Sequence, residues 1–474
     1  MFVQQFFVTG LAHSSYLLGG ASTCAIIDPR RDVEVYVEAA KNMGVSITHI
    51  LETHLHADFI SGHRDLAEKT GAQIYAPRSA GCKFDHVALG EGDTVEIEDM
   101  RLSVLETAGH TPEHISYVVT DTARGDSPVA VFCGDTLFVG DVGRPDLFPG
   151  RAPELASRLF DNLHGKLLEL PDFCEVYPAH GAGSLCGRAM GAKRTSTIGY
   201  EKEYNAALQT GDKDQFIESL TTNMPPAPDH FSRCSAINGR GPALVRELPR
   251  PEGLEPAEFS RRADQEGTII LDTRSYEAFG GQHVPGAYHI DFGGNFATFA
   301  GWVLPPDADM LLVAQTPQQA EDATVWLRRV GLDRTTGYLD GGMYRWARAG
   351  LPTAHVPQIS VQELHTRMTE GDEMLLVDVR APREFAQLHI DGAVNIPGPD
   401  LRSRHEELQR DIPLATICST GHRSSLAASL LKRRGFDEVR NVAGGMTGYG
   451  AAGFAAECPL CVAPHLPRTL LKHA

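Results

Sequence analysis

THLHADFISGH, residues 53–63, follows the apolar run ITHILE, and its reading decides how the first half of the chain is built. His54 and His56 stand one residue apart, and Asp58 follows at the same spacing. Borderline and hard ligands at the point where a strand gives way to a loop form a metal-binding pattern. One His-x-His is weak evidence alone. Three later segments strengthen it: TAGHTPEH with His110, FCGDTLFVGD with Asp135 and YPAHGAG with His180. Each joins an apolar run to a Gly- or Pro-containing loop. The residue after Asp58 is Phe59, whose phenyl ring has no atom that can hold a metal.

Outward from this stretch, the composition is that of a globular protein, with 42% hydrophobic and 22% charged residues. A chain of 474 residues exceeds what one core supports and predicts about three domains. The formal charge of −18 disfavours nucleic acid or an anionic membrane as partner. No run of about 18 apolar residues is present, and MFVQQFFVTG lacks a basic start and a long apolar segment, so a cytoplasmic location is expected. Nine cysteines, an odd number scattered over a long chain, read as free thiols in a reducing compartment. Cys24, Cys133 and Cys174 lie in strand-like runs and are expected to be inert core residues.

Strand-like and helical stretches alternate up to about residue 210, as in CAIIDP, RDVEVYVEAAKNMG, ITHILETH, SYVVTD and VAVFCGD, which predicts an α/β or α+β first domain over 1–235. The Pro-rich stretch that follows predicts a linker over 236–258. The chain then repeats itself: Asp272, Arg274 and Gly286 match Asp378, Arg380 and Gly392 at a constant offset of 106, and both units reach a Gly-Gly-Met, at 341–343 and 444–446. This predicts two related domains, 259–356 and 357–474. Cys418 in the second aligns with Ala314 in the first, so the first lacks a nucleophile and is expected to be a silent spacer or docking platform.

On Asp28, His54, His56, Asp58, His110, Asp135 and His180, residues 1–235 resemble the metallo-β-lactamase superfamily. That resemblance implies an αββα sandwich with metal at the strand ends. Because Phe59 removes a ligand to the second ion, the chain looks most like the persulfide dioxygenase branch. The resemblance then implies one Fe(II) held by His54, His110 and Asp135, with His56, Asp58 and His180 orienting the ligands or coordinating directly. A two-histidine, one-carboxylate face leaves open positions for a sulfur anion and O2, which a closed four-ligand site would not. Arg144 in VGDVGRPDLF is expected either to contact a substrate anion or to form a loop salt bridge. Cys186 is either close to the metal or a packed thiol.

CSTGHR, residues 418–423, lies between the apolar PLATI and the helical SSLAASLLKRRG, where loop amides and the helix dipole favour a thiolate. The Cys-x4-Arg spacing resembles the active loop of rhodanese sulfurtransferases, with Cys418 and Arg423 catalytic and Ser419, Thr420, Gly421 and His422 binding the sulfur donor. The whole order resembles bacterial persulfide dioxygenase and rhodanese fusions. It implies oxidation of a thiol persulfide (glutathione, coenzyme A or similar) by O2 to sulfite and thiol, with sulfur exchanged at Cys418 among persulfide, sulfite and thiosulfate, in a homo-oligomer. A zinc thioester hydrolase of the glyoxalase II type and a sulfur carrier with a structural metal stay open. The CPLC at 458–461 reads as redox-active or metal-binding only weakly.

Overall fold

The computed structural model describes residues 1–222 and 224–454, so Cys458 and Cys461 lie outside the described residues. It divides into two compact units, one of Met1–Leu248 with Val325–Leu332, the other of Pro249–Thr324 with the chain from Asp333 onward.

The first unit is four-layered. One six-stranded sheet runs in chain order through Phe2–Val8, His13–Gly19, Thr23–Ile27, Ser46–Leu51, Gln73–Pro77 and Val87–Leu89. The other has the order Ser196–Thr197, Glu175–Pro178, Pro128–Gly134, Ile115–Asp121, Met100–Glu106 and Thr94–Ile97. Their inner faces share one core, in which Leu18, Ile27 and Leu51 meet Leu102, Tyr117 and Phe132. Strands buried on both faces read as near-continuous apolar runs, which is why SYVVTD and VAVFCGD alternate so little. Helices Glu34–Met43 and His63–Thr70 cover the first sheet through Tyr36, Ala40 and Leu66. Helices Ala152–Gly165 and Lys213–Thr221 cover the second through Leu159, Leu163 and Phe216. Each fully buried Leu, Ile or Phe contributes roughly 1.5–3 kcal/mol. Cys24, Cys133 and Cys174 are free thiols inside these layers, and burial pushes the Cys24 and Cys174 pKa values up to about 12. The expected αββα sandwich is therefore present.

Residues 236–258 differ from the expected linker at their start, where helix His230–Arg240 packs on the first unit. Phe231, Cys234 and Asn238 recur at helical spacing and are all buried. The prolines flanking this segment concealed that periodicity.

In the second unit the repeat becomes a duplicated parallel sheet. The strand orders are Glu252–Leu254, Thr335–Leu339, Asp309–Val313, Thr268–Asp272, Tyr288–His289 and then Gln358–Ile359, Val439–Val442, Leu414–Ile417, Leu375–Asp378, Val394–Asn395. The matched residues do matched work. Arg274 pairs with Asp272 at 2.6 Å and donates to the Gln282 carbonyl, and Arg380 pairs with Asp378 at 2.6 Å and donates to the Leu388 carbonyl. Among the described residues, no helix is long and apolar enough to cross a membrane.

Candidate metal centre and sulfur-transfer loop

Four strands of the first unit, ending at Leu51, Glu106, Gly134 and Pro178, run into the loops that carry the predicted ligands. His54, His110 and Asp135 converge there, with ligand atoms within 4.8 Å of one another. His110 Nε2 lies 3.2 Å and His54 Nε2 3.8 Å from Asp135 Oδ2. All three atoms are buried and, among the described residues, have no hydrogen-bond partner. Orphaned buried polar atoms are rare and costly, roughly 1–3 kcal/mol each, and three converging on one point fit a cation.

The tautomers fit as well. His110 Nδ1 donates to the Arg144 carbonyl at 2.9 Å, which leaves its Nε2 lone pair facing Asp135. Thr53 Oγ1 donates to Asp28 at 2.9 Å and so accepts from His54 Nδ1, freeing His54 Nε2 in the same way. Asp28 also accepts from the Thr53 amide at 2.8 Å and lies 3.0 Å from His56 Nε2. Its backbone is left-handed, with φ 51°, a conformation that Asp tolerates better than most residues.

The remaining predicted residues surround this face. Asp135 turns Oδ2 toward the His54 and His110 Nε2 atoms and Oδ1 to His180 Nδ1 at 2.7 Å, while His180 Nε2 lies 2.8 Å from Asp58. Burial opposes charge on Asp135, but the His180 and His110 rings outweigh it and hold the carboxyl well below its usual range. Burial likewise opposes charge on His180, and the flanking Asp135 and Asp58 carboxylates raise it well above the ordinary imidazole value. Phe59 is fully buried, its ring 4.4 Å from that of His56 and 3.9 Å from that of His13.

Arg144 is buried and spent on its loop. Its guanidinium pairs with Asp146 at 2.7 and 2.8 Å and donates to the Leu185 and Pro225 carbonyls. Of the two roles its sequence left open, this geometry displays the loop salt bridge, with every guanidinium nitrogen engaged. Cys186 packs with Ala57, Phe138 and Phe231, its sulfur within 4.8 Å of the Asp58 and His180 ligand atoms. Burial, then the Asp58 and Asp135 charges, push its thiol well up, so it stays protonated.

Three supporting residues escaped sequence reading. His114 Nε2 accepts from the Asp135 amide at 2.9 Å, and its ring stacks on His54. Asn238 donates to the His56 and Phe59 carbonyls, both at 2.8 Å, and accepts from the Ser61 amide. His13, buried with both nitrogens unpartnered among the described residues, faces Phe59, His56 and His180. Only the His in TPEH gave any signal, at four residues past His110.

In the second unit, Cys418 follows strand Leu414–Ile417 and precedes helix His422–Arg433. The Gly421 amide donates to its sulfur at 3.1 Å and the Ser424 hydroxyl at 3.3 Å. Gly421 turns the loop at φ 110°. The Gly-Gly-Met motif packs beneath it. Met446 and Thr447 amides donate to the Cys418 and Ser419 carbonyls, and a Cβ on Gly445 would collide with both. Arg423 does not reach the sulfur by a hydrogen bond. It forms a two-point pair with Glu384 at 2.7 and 2.8 Å and donates to Ser419 Oγ. Burial opposes a charge on Glu384, but Arg423 outweighs it and keeps that carboxyl lowered. Ser419, Thr420 and His422 line a cavity above the loop.

Comparison with known proteins agrees with this fold. Residues 8–180 match the Metallo-beta-lactamase superfamily, and residues 255–349 and 360–452 each match the Rhodanese-like domain. A crystal structure of a metallo-beta-lactamase from Staphylococcus aureus subsp. aureus COL is 36% identical, with a TM-score of 0.64 over 71% of this chain and 98% of that one. The hydroxyacylglutathione hydrolase of Rhodopseudomonas palustris is 35% identical over 40% of this chain and 66% of its own. The chain therefore spans slightly less than two thirds of that relative's length. The mitochondrial persulfide dioxygenase of Mus musculus is 29% identical over 48% of this chain and 83% of its own.

Proposed function

For a chain that belongs to the metallo-beta-lactamase superfamily and carries two rhodanese-like domains, we propose two coupled sulfur reactions. The first is persulfide dioxygenation, RSSH + O2 + H2O → RSH + sulfite + 2 H⁺. The second is sulfane transfer at Cys418. The observation that carries the first is that His54 Nε2, His110 Nε2 and Asp135 Oδ2 are buried, unpartnered among the described residues and convergent, with a phenyl ring rather than a ligand at residue 59.

Fe(II) held by that triplet would supply a redox-active Lewis acid with open positions for a sulfur anion and O2. The chain's own residues do the rest. Arg144 and Thr53, with Asp28 behind it, fix the two imidazoles as lone-pair donors. Phe59 and the Cys186 cluster exclude water from the neighbouring space. His180 Nδ1, 2.7 Å from Asp135 Oδ1, keeps that carboxylate from rotating. At Cys418 the Gly421 amide and Ser424 hydroxyl stabilise the attacking sulfur. The partners proposed are a low-molecular-weight thiol persulfide, O2 and sulfite or thiosulfate.

A zinc thioester hydrolase is the second reading. It is favoured by the hydroxyacylglutathione hydrolase relative and by the Asp58, His180 and Cys186 cluster. Oxygen uptake with glutathione persulfide separates the two. His110→Ala is expected to abolish it and Cys418→Ser to leave it. Uptake that is absent from iron-loaded protein, alongside hydrolysis of S-lactoylglutathione, would establish the hydrolase.

A further inference from the structure

The cysteine-less domain does more than space its neighbours, because it forms part of the chamber over Cys418. A cavity of about 480 Å³ opens between Asp291, Phe292, Phe296 and Phe299 of that domain and Ser419, His422 and Arg423 of the active loop. His422 Nδ1 donates to Asp291 at 2.8 Å, and its ring meets Tyr276 edge-on at 5.2 Å. The contact is buttressed. The His289 amide donates to Ser429 Oγ at 3.0 Å, and His289 Nδ1 bonds Ser425 at 2.9 Å, both serines lying on the helix that starts at the active loop.

The charges in this chamber cancel in pairs. His422 faces Asp291, and Arg423 is held at two points by Glu384. Both cations that line the cavity thus already have carboxylate partners. A small inorganic dianion gains little from paired cations, whereas three phenylalanines offer apolar surface to an organic arm.

We propose that the cysteine-less domain is the specificity wall of the sulfur-transfer site, selecting a sulfane donor carried on an organic thiol over thiosulfate. The inference rests on Cys418 being the transfer nucleophile. In the step itself the Cys418 thiolate attacks the outer sulfur of RSSH, the RS–S bond breaks, and a Cys418–S–S bond forms. The persulfide's proton leaves with RSH, so Cys418–S⁻ + RSSH gives Cys418–S–S⁻ + RSH. No oxidant or reductant is consumed.

The test is transfer to cyanide by the full-length protein, with glutathione persulfide and thiosulfate as alternative donors. The readout is the ratio of their kcat/KM values. Phe292→Ala and Phe299→Ala, at half-buried positions, and the isosteric Asp291→Asn are each expected to lower the ratio, roughly tenfold for the phenylalanines. The loss is expected in KM for the persulfide. A ratio unchanged within about twofold in all three variants overturns the proposal, even where both activities fall together. Cys418→Ser is run in parallel. Its loss of transfer with both donors supports the assignment beneath the proposal, whereas retained transfer removes that assignment and the proposal with it.

Discussion

Asp28 combines a left-handed backbone with three buried contacts, and the two can be separated by substitution. In Asp28→Ala the Thr53 amide loses its acceptor in a fully buried position, which costs about 1–3 kcal/mol. The Thr53 hydroxyl loses its acceptor and His56 the carboxylate 3.0 Å from its Nε2, about 1–2 kcal/mol more. Alanine at φ 51° adds about 1 kcal/mol. The total is about 3–6 kcal/mol. In Asp28→Asn the amide oxygen still accepts from Thr53 and the left-handed conformation is tolerated, so the cost falls to about 1–2 kcal/mol. For a unit of this size a kcal/mol corresponds to about 2–4 °C. Calorimetry of the metal-free protein should then show the first unit's transition lowered by about 10 °C in the alanine variant and by less than half that in the asparagine variant. Iron affinity should weaken in both, because His54 loses the chain of contacts that sets its tautomer. Equal melting of the two variants would refute the argument.

Three further outcomes follow from other sites. Gly445→Ala places a Cβ against the Cys418 and Ser419 carbonyls at positive φ, so sulfur transfer should be lost while oxygen uptake survives, as activity assays on one preparation would show. Asp291 raises the His422 pKa, so His422 stays charged through the ordinary imidazole range and discharges as pH rises through the raised value. Asp291→Asn should move that discharge to lower pH in an NMR titration. Glu98 accepts from the Ser22 and Ala21 amides and the Thr23 and Ser22 hydroxyls, which hold its carboxyl down at about 2, so its contribution is complete above the ordinary glutamate pKa and fades as pH falls toward 2. Glu98→Gln should flatten that acid limb in denaturation curves.

The parts of this molecule legible in the sequence are those with short-range signatures. HLHAD, the strand-end His110, Asp135 and His180, and the 106-residue repeat each announce themselves by spacing. The supports do not, because they act across long separations. Asn238 reaches the His56 loop from a helix hidden between prolines, and Glu384 finds Arg423 from a helix in PREFAQ. Arg144 reads equally as an anion contact or a loop salt bridge until Asp146 and the Leu185 and Pro225 carbonyls that absorb its donors are brought beside it. The phenylalanines at 292–299 gave no signal, since a wall is defined only by what it faces.

The central claim concerns how many ions the first unit holds, and of which metal. Anaerobically purified full-length protein, loaded to saturation and assayed by elemental analysis together with oxygen uptake, is predicted to carry one iron per chain and to consume O2 in proportion to it. Two zinc ions per chain, with no uptake restored by iron, would contradict the account.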